Sequence, residues 1–154
     1  MIIHKKGSLF DAPKGSILVH ACNARGVWGS GIAVEFKKRF PESFDFYKEF
    51  CDEEGKRLLG ITILCPVEND YTVGCMITSD GYGKFKDPKE KILENTYTAL
   101  LCVLAENRPI HSNLFNSGLF GVPWNETENK LKEAIRNMEY KKPWTVWDYN
   151  QGEK

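Results

Sequence analysis

The chain has 154 residues, the size of one domain able to bury its own core. Hydrophobic residues make up 42% and charged residues 27%, a globular composition that excludes an intrinsically disordered chain. Lys plus Arg equals Asp plus Glu at 21 each, so the zero net charge argues against a protein that wraps nucleic acid by counterion release.

In chain order, Ile17-Leu18-Val19 is a short continuous apolar run, as expected of a strand covered on both faces. Ile32 to Phe40 reads as a helix that stops before Pro41. The run Lys37-Lys38-Arg39 fits its solvated face. Glu42 to Glu54 reads as a second helix ended by Gly55, and Ile61 to Leu64 and Tyr71 to Thr78 read as strands. Asp87-Pro88-Lys89-Glu90 carries the marks of a helix start, with Asp87 as the cap and Pro88 in the first turn. Ile92, Thr96, Ala99, Leu100, Val103 and Leu104 then share one stripe. Ile110 to Phe115 is expected to be a strand. Asn125 to Glu128 opens a last helix with the stripe Thr127, Leu131, Ala134, Ile135 and Met138, and Trp144 to Tyr149 closes as a strand. The alternation indicates one three-layer α/β/α domain over residues 1–150, with 151–154 as a frayed tail.

The five cysteines form no CxxC pair. Their odd number and an N-terminus that turns charged after Met1-Ile2-Ile3 indicate free thiols in the cytoplasm or nucleus, with no leader and no membrane span.

In open α/β sheets ligands sit beyond the carboxyl ends of the strands. Three loops are expected there, from His20 to Gly31, Thr78 to Lys86 and Asn116 to Trp124. In the first, Gly26, Gly29 and Gly31 permit close backbone approach, and a helix leaves the loop with its N–H groups pointing back, an arrangement that suits a phosphate. A tight strand-to-helix turn would use the same glycines. In the third, Ser117, Gly118 and Gly121 can form an anion nest. Two such loops at one sheet edge suggest a diphosphate held from both sides.

These segments resemble the macro domain family. Val19-His20-Ala21-Cys22-Asn23 stands where the family has V-N-A-A-N, Gly29-Ser30-Gly31-Ile32-Ala33 stands at its Gly-rich loop, and Asn116-Ser117-Gly118-Leu119-Phe120-Gly121-Val122-Pro123 stands at its late S-T-G-I-F-G-F-P loop. Within the family the segments are similar to the fungal ADP-ribose 1″-phosphate phosphatase branch, with its H-x-C-N, W-G-x-G-I-A and N-S-G-x-F-G-V-P-W patterns. Gly7 to Phe10 and Gly31 to Lys38 are also similar to the terminal ADP-ribose protein glycohydrolase branch.

The resemblance implies a mixed central sheet and a monomer that binds ADP-ribose or a derivative. The three loops offer no cluster of carboxylates and histidines, Asp80 being the one carboxylate between Thr78 and Lys86, so no metal and no cofactor are expected. Asn23 would hold the distal ribose, Gly29, Ser30, Gly31 and Ile32 one phosphate, and Ser117, Gly118, Leu119 and Phe120 the other. Phe120 would also pack on that ribose, its alternative being a plug at the core edge. Ser8, Leu9, Cys22 and Trp28 complete the binding set, with Ser8 where many members carry an adenine-reading Asp. The glycohydrolase lysine and aspartate fall at Ser79 and Phe120, which cannot perform that chemistry. His20, where a strand emerges, can act as a base or bind a terminal phosphate, the alternative being a buried histidine bonded to a carbonyl. Asp80 is a candidate acid or water orienter. The implied activity is hydrolysis of ADP-ribose 1″-phosphate. The rivals are a hydrolase acting on ADP-ribosylated protein or O-acetyl-ADP-ribose, and a non-catalytic reader.

Overall fold

The computed structural model describes residues 1–149. The expected tail at 151–154 lies outside the described residues. Six strands form one mixed sheet: β1 (Ile2–Lys6), β2 (Ile17–Asn23), β3 (Thr62–Leu64), β4 (Thr72–Ser79), β5 (Ile110–Ser112) and β6 (Trp144–Asp148). Their spatial order is β1-β6-β5-β2-β4-β3, with every pairing parallel except the antiparallel edge pair β3–β4.

Strand parity sorts the apolar side chains onto two faces. Leu18, Val73, Cys75 and Ile77 face a layer that contains Phe36, Phe40, Tyr47 and Cys51 from helices α1 (Ile32–Arg39) and α2 (Pro41–Glu54). Ile17, Val19, Met76 and Val146 face the opposite layer, built by Ala99, Leu100, Val103, Leu131 and Ala134 from α3 (Lys89–Leu104) and α4 (Trp124–Met138). This is the expected α/β/α sandwich.

One element was not anticipated and three local expectations are corrected. The N-terminal segment is a strand: β1 runs parallel to β6 in register Ile2↔Trp144 to Lys6↔Asp148. Its exposed His4, Lys5 and Lys6 suit a sheet edge and hide the strand from an apolar-run criterion. The strand after Pro109 ends at Ser112, and Asn113 to Phe115 already belong to the loop. Asp87 does not cap α3, whose first turn has no side-chain cap. Its carboxylate accepts the backbone N–H of Asp80 at 2.8 Å instead, and its own N–H donates to Ser79 Oγ at 2.9 Å. On α4, Met138 points largely to solvent, so the apolar stripe ends at the half-buried Ile135.

Because five strands are parallel, the carboxyl ends of β2, β4, β5 and β6 open at one edge of the sheet. The pairing of β2 with β4 slips between Cys22 and Asn23, so Asn23 lies opposite Ser79 rather than Thr78. Such a bulge re-aims the chain just where the first loop begins.

His111 on β5 supplies a pH-sensitive joint between strands. Trp147 donates Nε1–H to His111 Nδ1 at 3.0 Å, so the ring serves as a neutral acceptor. Burial, and to a lesser degree Lys5, push its pKa below the ordinary 6.5. The unfolded chain therefore takes up a proton at a higher pH than the folded one, and stability that is complete above that ordinary value is lost as pH falls below it. Thermal melts from about pH 7.5 to about pH 5 are expected to show a falling midpoint, and His111→Gln is expected to flatten that fall.

Candidate functional site

Two cavities lie side by side at the open edge of the sheet. The first, of about 760 Å³, is walled by Cys22, Asn23 and Val27 to Ala33 from the first loop, Tyr82 to Lys84 and Lys86 from the second, and Asn113 to Phe120 without Ser117 from the third. The second, of about 670 Å³, is walled by Ser8, Phe10, Glu35, Arg39, Ser117 and the segment Trp147 to Tyr149. They share Gly31, Ile32, Asn113, Leu114 and Gly118.

The shared wall is where backbone donors gather. Gly31 precedes α1 with φ of +64° and ψ of −147°, a conformation that favours glycine, and no side chain caps the helix. The N–H groups of Ile32 and Ala33 in the first turn therefore open toward the cavity, with the positive end of the helix dipole behind them. Across the gap the late loop turns on the Gly121 N–H to Gly118 carbonyl bond of 3.0 Å and the Val122 N–H to Asn116 carbonyl bond of 2.9 Å. Among the described residues, the N–H groups of Gly118, Leu119 and Phe120 have no acceptor. A Cβ added to Gly31 would lie 3.8 Å from Leu119 Cδ1, so the two loops face each other at van der Waals range.

Two buried anchors and one nearer the surface hold these loops. Asn116 sits at φ of +69°. Its Oδ1 accepts from Thr78 Oγ1 at 3.1 Å and its Nδ2 donates to Thr96 Oγ1 at 2.9 Å, tying the late loop to β4 and α3. Asn23 folds the first loop on itself. Its Oδ1 accepts the N–H of Arg25 at 2.9 Å, and its Nδ2 donates to the Val27 carbonyl at 2.8 Å. Tyr47 of α2 donates to the Asn23 carbonyl at 2.7 Å. Third, Asp80 joins the first and second loops. Its carboxylate takes Arg25 Nε at 3.3 Å and Nη2 at 3.2 Å, while Ala24 N–H reaches the Ser79 carbonyl at 3.0 Å.

Most expected binding residues meet on the cavity walls. Cys22, Asn23, Trp28, Gly29, Ser30, Gly31, Ile32, Gly118, Leu119 and the half-buried Phe120 line the first cavity, and Ser8 and Ser117 the second. Leu9 and Asp80 do not join them, and Ser117 offers neither of its donors. Leu9 is buried in the core below the site. Both Ser117 groups turn inward: its N–H and its Oγ donate to the Leu114 carbonyl, at 3.3 and 2.5 Å. Asp80 is spent on Arg25 and is not on the cavity wall.

His20 is 0% exposed and lies behind the wall. Its ring stacks on Phe36 at 3.9 Å and meets the edge of Trp28 at 4.8 Å. Neither the open base nor the carbonyl-bonded histidine considered from sequence is found. The thiol of Cys22 lies 3.5 Å from its Nε2 and 3.8 Å from its Nδ1, so the sulfur addresses neither lone pair singly. Cys75 completes a buried trio whose donor atoms lie within 4.8 Å of one another. The register of β2 with β4, which sets His20 opposite Cys75, creates that trio, and no sequence spacing announces it. Burial pushes the Cys22 thiol up, but hydrogen bonding from Cys75 and contact with His20 and Trp28 outweigh this and bring it down to about 6. Cys75 is held above its ordinary value, by burial first and by Cys22 next.

The residues missed from sequence are Asn113 and Leu114 in the shared wall, Tyr82 in the first cavity, and Phe10, Glu35, Arg39 and Trp147 to Tyr149 in the second. The carboxyl end of β6 was open to the same rule that located the other loops. Phe10 and Arg39 were not legible: the Arg39 guanidinium stacks 4.5 Å over the Phe10 ring only because the Leu9–Asp11 turn packs on α1.

The family model described as Macro domain matches residues 19–131. An ADP-ribose 1″-phosphate phosphatase of Meyerozyma guilliermondii is 39% identical over 158 residues, covering 83% of this chain and 90% of the relative. Among solved structures, the macrodomain of Thermus aquaticus DarG superposes with a TM-score of 0.75 at 26% identity, covering 97% of this chain and 98% of the other. Thermosipho africanus DarTG in complex with ADP-ribose superposes at 0.72 with 14% identity, over 96% of this chain and 41% of that one, a likeness of fold alone.

If Asn116 fastens the late loop, Asn116→Ala leaves the buried Thr78 hydroxyl without its partner and removes the hydrogen that Thr96 Oγ1 accepts, while Thr96 still donates to the Ile92 carbonyl. Urea denaturation is expected to show a loss of about 1–3 kcal/mol. Asn116→Asp keeps the acceptor for Thr78 but loses the donor to Thr96 and is expected to lose stability as well.

Proposed function

Since this chain belongs to the macro domain family, we propose that it binds ADP-ribose across its two cavities and hydrolyses ADP-ribose 1″-phosphate to ADP-ribose and inorganic phosphate. The observation that carries the reading is the pair of facing, donor-rich loops at the wall the cavities share. A diphosphate at that wall takes N–H groups from Ile32 and Ala33 on one side and from Gly118 to Phe120 on the other. The adenosine then extends into the second cavity, over Phe10 and near Ser8. The distal ribose enters the first, against Phe120 and the remaining amide hydrogen of Asn23. Ser8 already accepts the Phe10 N–H at 3.1 Å, which leaves its own hydroxyl hydrogen for the ligand.

In the reaction water adds to phosphorus and the bond from phosphorus to the ribose 1″ oxygen breaks. That oxygen takes up a proton, and ADP-ribose and phosphate leave. The loose transition state of phosphoryl transfer places its charge on the non-bridging oxygens, so positioning and oriented donors carry most of the catalysis. In this reading His20 is a positioning residue. It holds Trp28 and Cys22, which do touch the cavity, and Asp80 acts through Arg25 on the path of the first loop. Ser79, at the position of the glycohydrolase lysine, is fully buried and donates its hydroxyl to the Gly81 carbonyl at 2.7 Å, which supports the phosphatase over a lysine mechanism. Among the described residues no Asp, Glu or His side chain lines the first cavity, a donor set that does not fit a hard metal ion. Among the described residues no helix is long and apolar enough to cross a membrane. The five thiols are free, which supports a reducing compartment such as the cytoplasm or nucleus.

Gly31→Glu places bulk and negative charge against the diphosphate. Calorimetry is expected to show an ADP-ribose affinity reduced at least about tenfold, or about 1.4 kcal/mol. Unchanged affinity in a folded variant would move the site elsewhere. Purified protein incubated with ADP-ribose 1″-phosphate is expected to release phosphate at the same rate with and without excess EDTA. Loss of turnover on chelation, restored by magnesium or manganese, would contradict the metal-free mechanism.

A further inference from the structure

Charge in the first cavity comes from one side only. Of the side chains that line it, Lys84 and Lys86 are the only charged ones, and both belong to the loop after β4. Neither contributes to the second cavity, whose charged residues are Glu35, Arg39 and Asp148. The two ammonium groups therefore lie toward the end of the groove that the adenosine does not reach.

The loop that carries them is braced from inside. Ser79 Oγ bonds the Gly81 carbonyl and receives the Asp87 N–H, and the Asp87 carboxylate receives the Asp80 N–H. A short turn, Gly83–Phe85, follows, closed by Phe85 N–H to the Tyr82 carbonyl at 3.0 Å and Lys86 N–H to the Gly83 carbonyl at 3.2 Å. The stem of Lys86 crosses to the late loop, with its Cε 3.7 Å from where a Cβ on Gly121 would lie. Among the described residues neither lysine has a carboxylate within ion-pair distance, although carboxylates pair with Arg25, Lys48 and Lys89 elsewhere on the surface. Lys84 Nζ lies 5.4 Å from the centroid of the Phe85 ring, and so two lysines without a carboxylate partner line a cavity that has no acid among its described lining residues.

Resting on the functional reading above, we propose that Lys84 and Lys86 bind the terminal phosphomonoester, so that this chain distinguishes the substrate, which carries that group in addition to its diphosphate, from its ADP-ribose product. The diphosphate is met by backbone donors at the shared wall, which both molecules satisfy alike. The monoester alone brings charge to the lysine end. Hydrolysis removes the group the lysines hold, which weakens the product's grip and favours its release.

The test compares two ligands on one variant. Lys84→Gln with Lys86→Gln removes both charges from exposed positions, and its thermal midpoint controls for folding. ADP-ribose affinity by calorimetry is expected to stay within about threefold of the parent, while KM for ADP-ribose 1″-phosphate rises at least about tenfold and its salt dependence flattens. Lys84→Arg with Lys86→Arg is expected to recover most of the loss. An equal loss for both ligands would place the lysines on the diphosphate and overturn the assignment, and unchanged KM would overturn it too. A parent protein that binds ADP-ribose but releases no phosphate would instead strike the functional reading on which the assignment rests.

Discussion

A carboxamide that takes a hydrogen from Thr78 and gives one to Thr96 sets the geometry of the late loop. Asn116 does this from a left-handed backbone conformation, in a loop where the N–H groups of Gly118, Leu119 and Phe120 have no acceptor among the described residues. An alanine could adopt that conformation only at a cost, and could neither accept from the Thr78 hydroxyl nor donate to that of Thr96. The facing loop has its counterpart in Asn23, whose side chain closes a turn around Arg25 and Val27. Asn23 ends β2, Asn116 follows β5 in the late loop, and both are almost wholly buried. The site's precision therefore comes from two buried amides, each spending its hydrogen bonds on the backbone or core so that other backbone groups stay open for a ligand.

That division explains why so few charged groups are needed near the shared wall. Oriented N–H groups and one helix N-terminus supply positive potential without the desolvation that a buried cation would suffer. The charged side chains stand at the ends of the groove. Arg39 lies over Phe10 with Glu35 beside it, and Lys84 and Lys86 stand at the other end. The groove is thus differentiated along its length, which a ligand with chemically different ends requires.

Much of this was legible in the sequence. Strand β2 and helices α2 and α3 follow from apolar runs and stripes, and the three loops follow from the rule that parallel sheets bind at their carboxyl edge. Other features depended on partners distant in sequence. β1 is recognisable as a strand only through its pairing with β6, because its outer half is charged. Asp87 looks like a cap for α3, yet the tighter demand came from the Asp80 amide across the loop. His20 is the instructive case. Parity along β2 places it with Leu18 and Cys22, on the face covered by α1 and α2, whereas its place in the family's segment pointed to a base at the site. What parity could not supply was Cys75 on the neighbouring strand, or the slip that displaces Asn23 from the alternation.

The central claim is that both loops grip one ligand at the wall between the cavities. Backbone amide resonances followed during titration with ADP-ribose test it most directly. The account predicts that the amides of Ile32 and Ala33 move together with those of Gly118, Leu119 and Phe120, saturating at a single ligand concentration, while His20 and its neighbours in the core move little. Shifts confined to one loop, or two groups of amides saturating at different concentrations, would contradict a single diphosphate held from both sides.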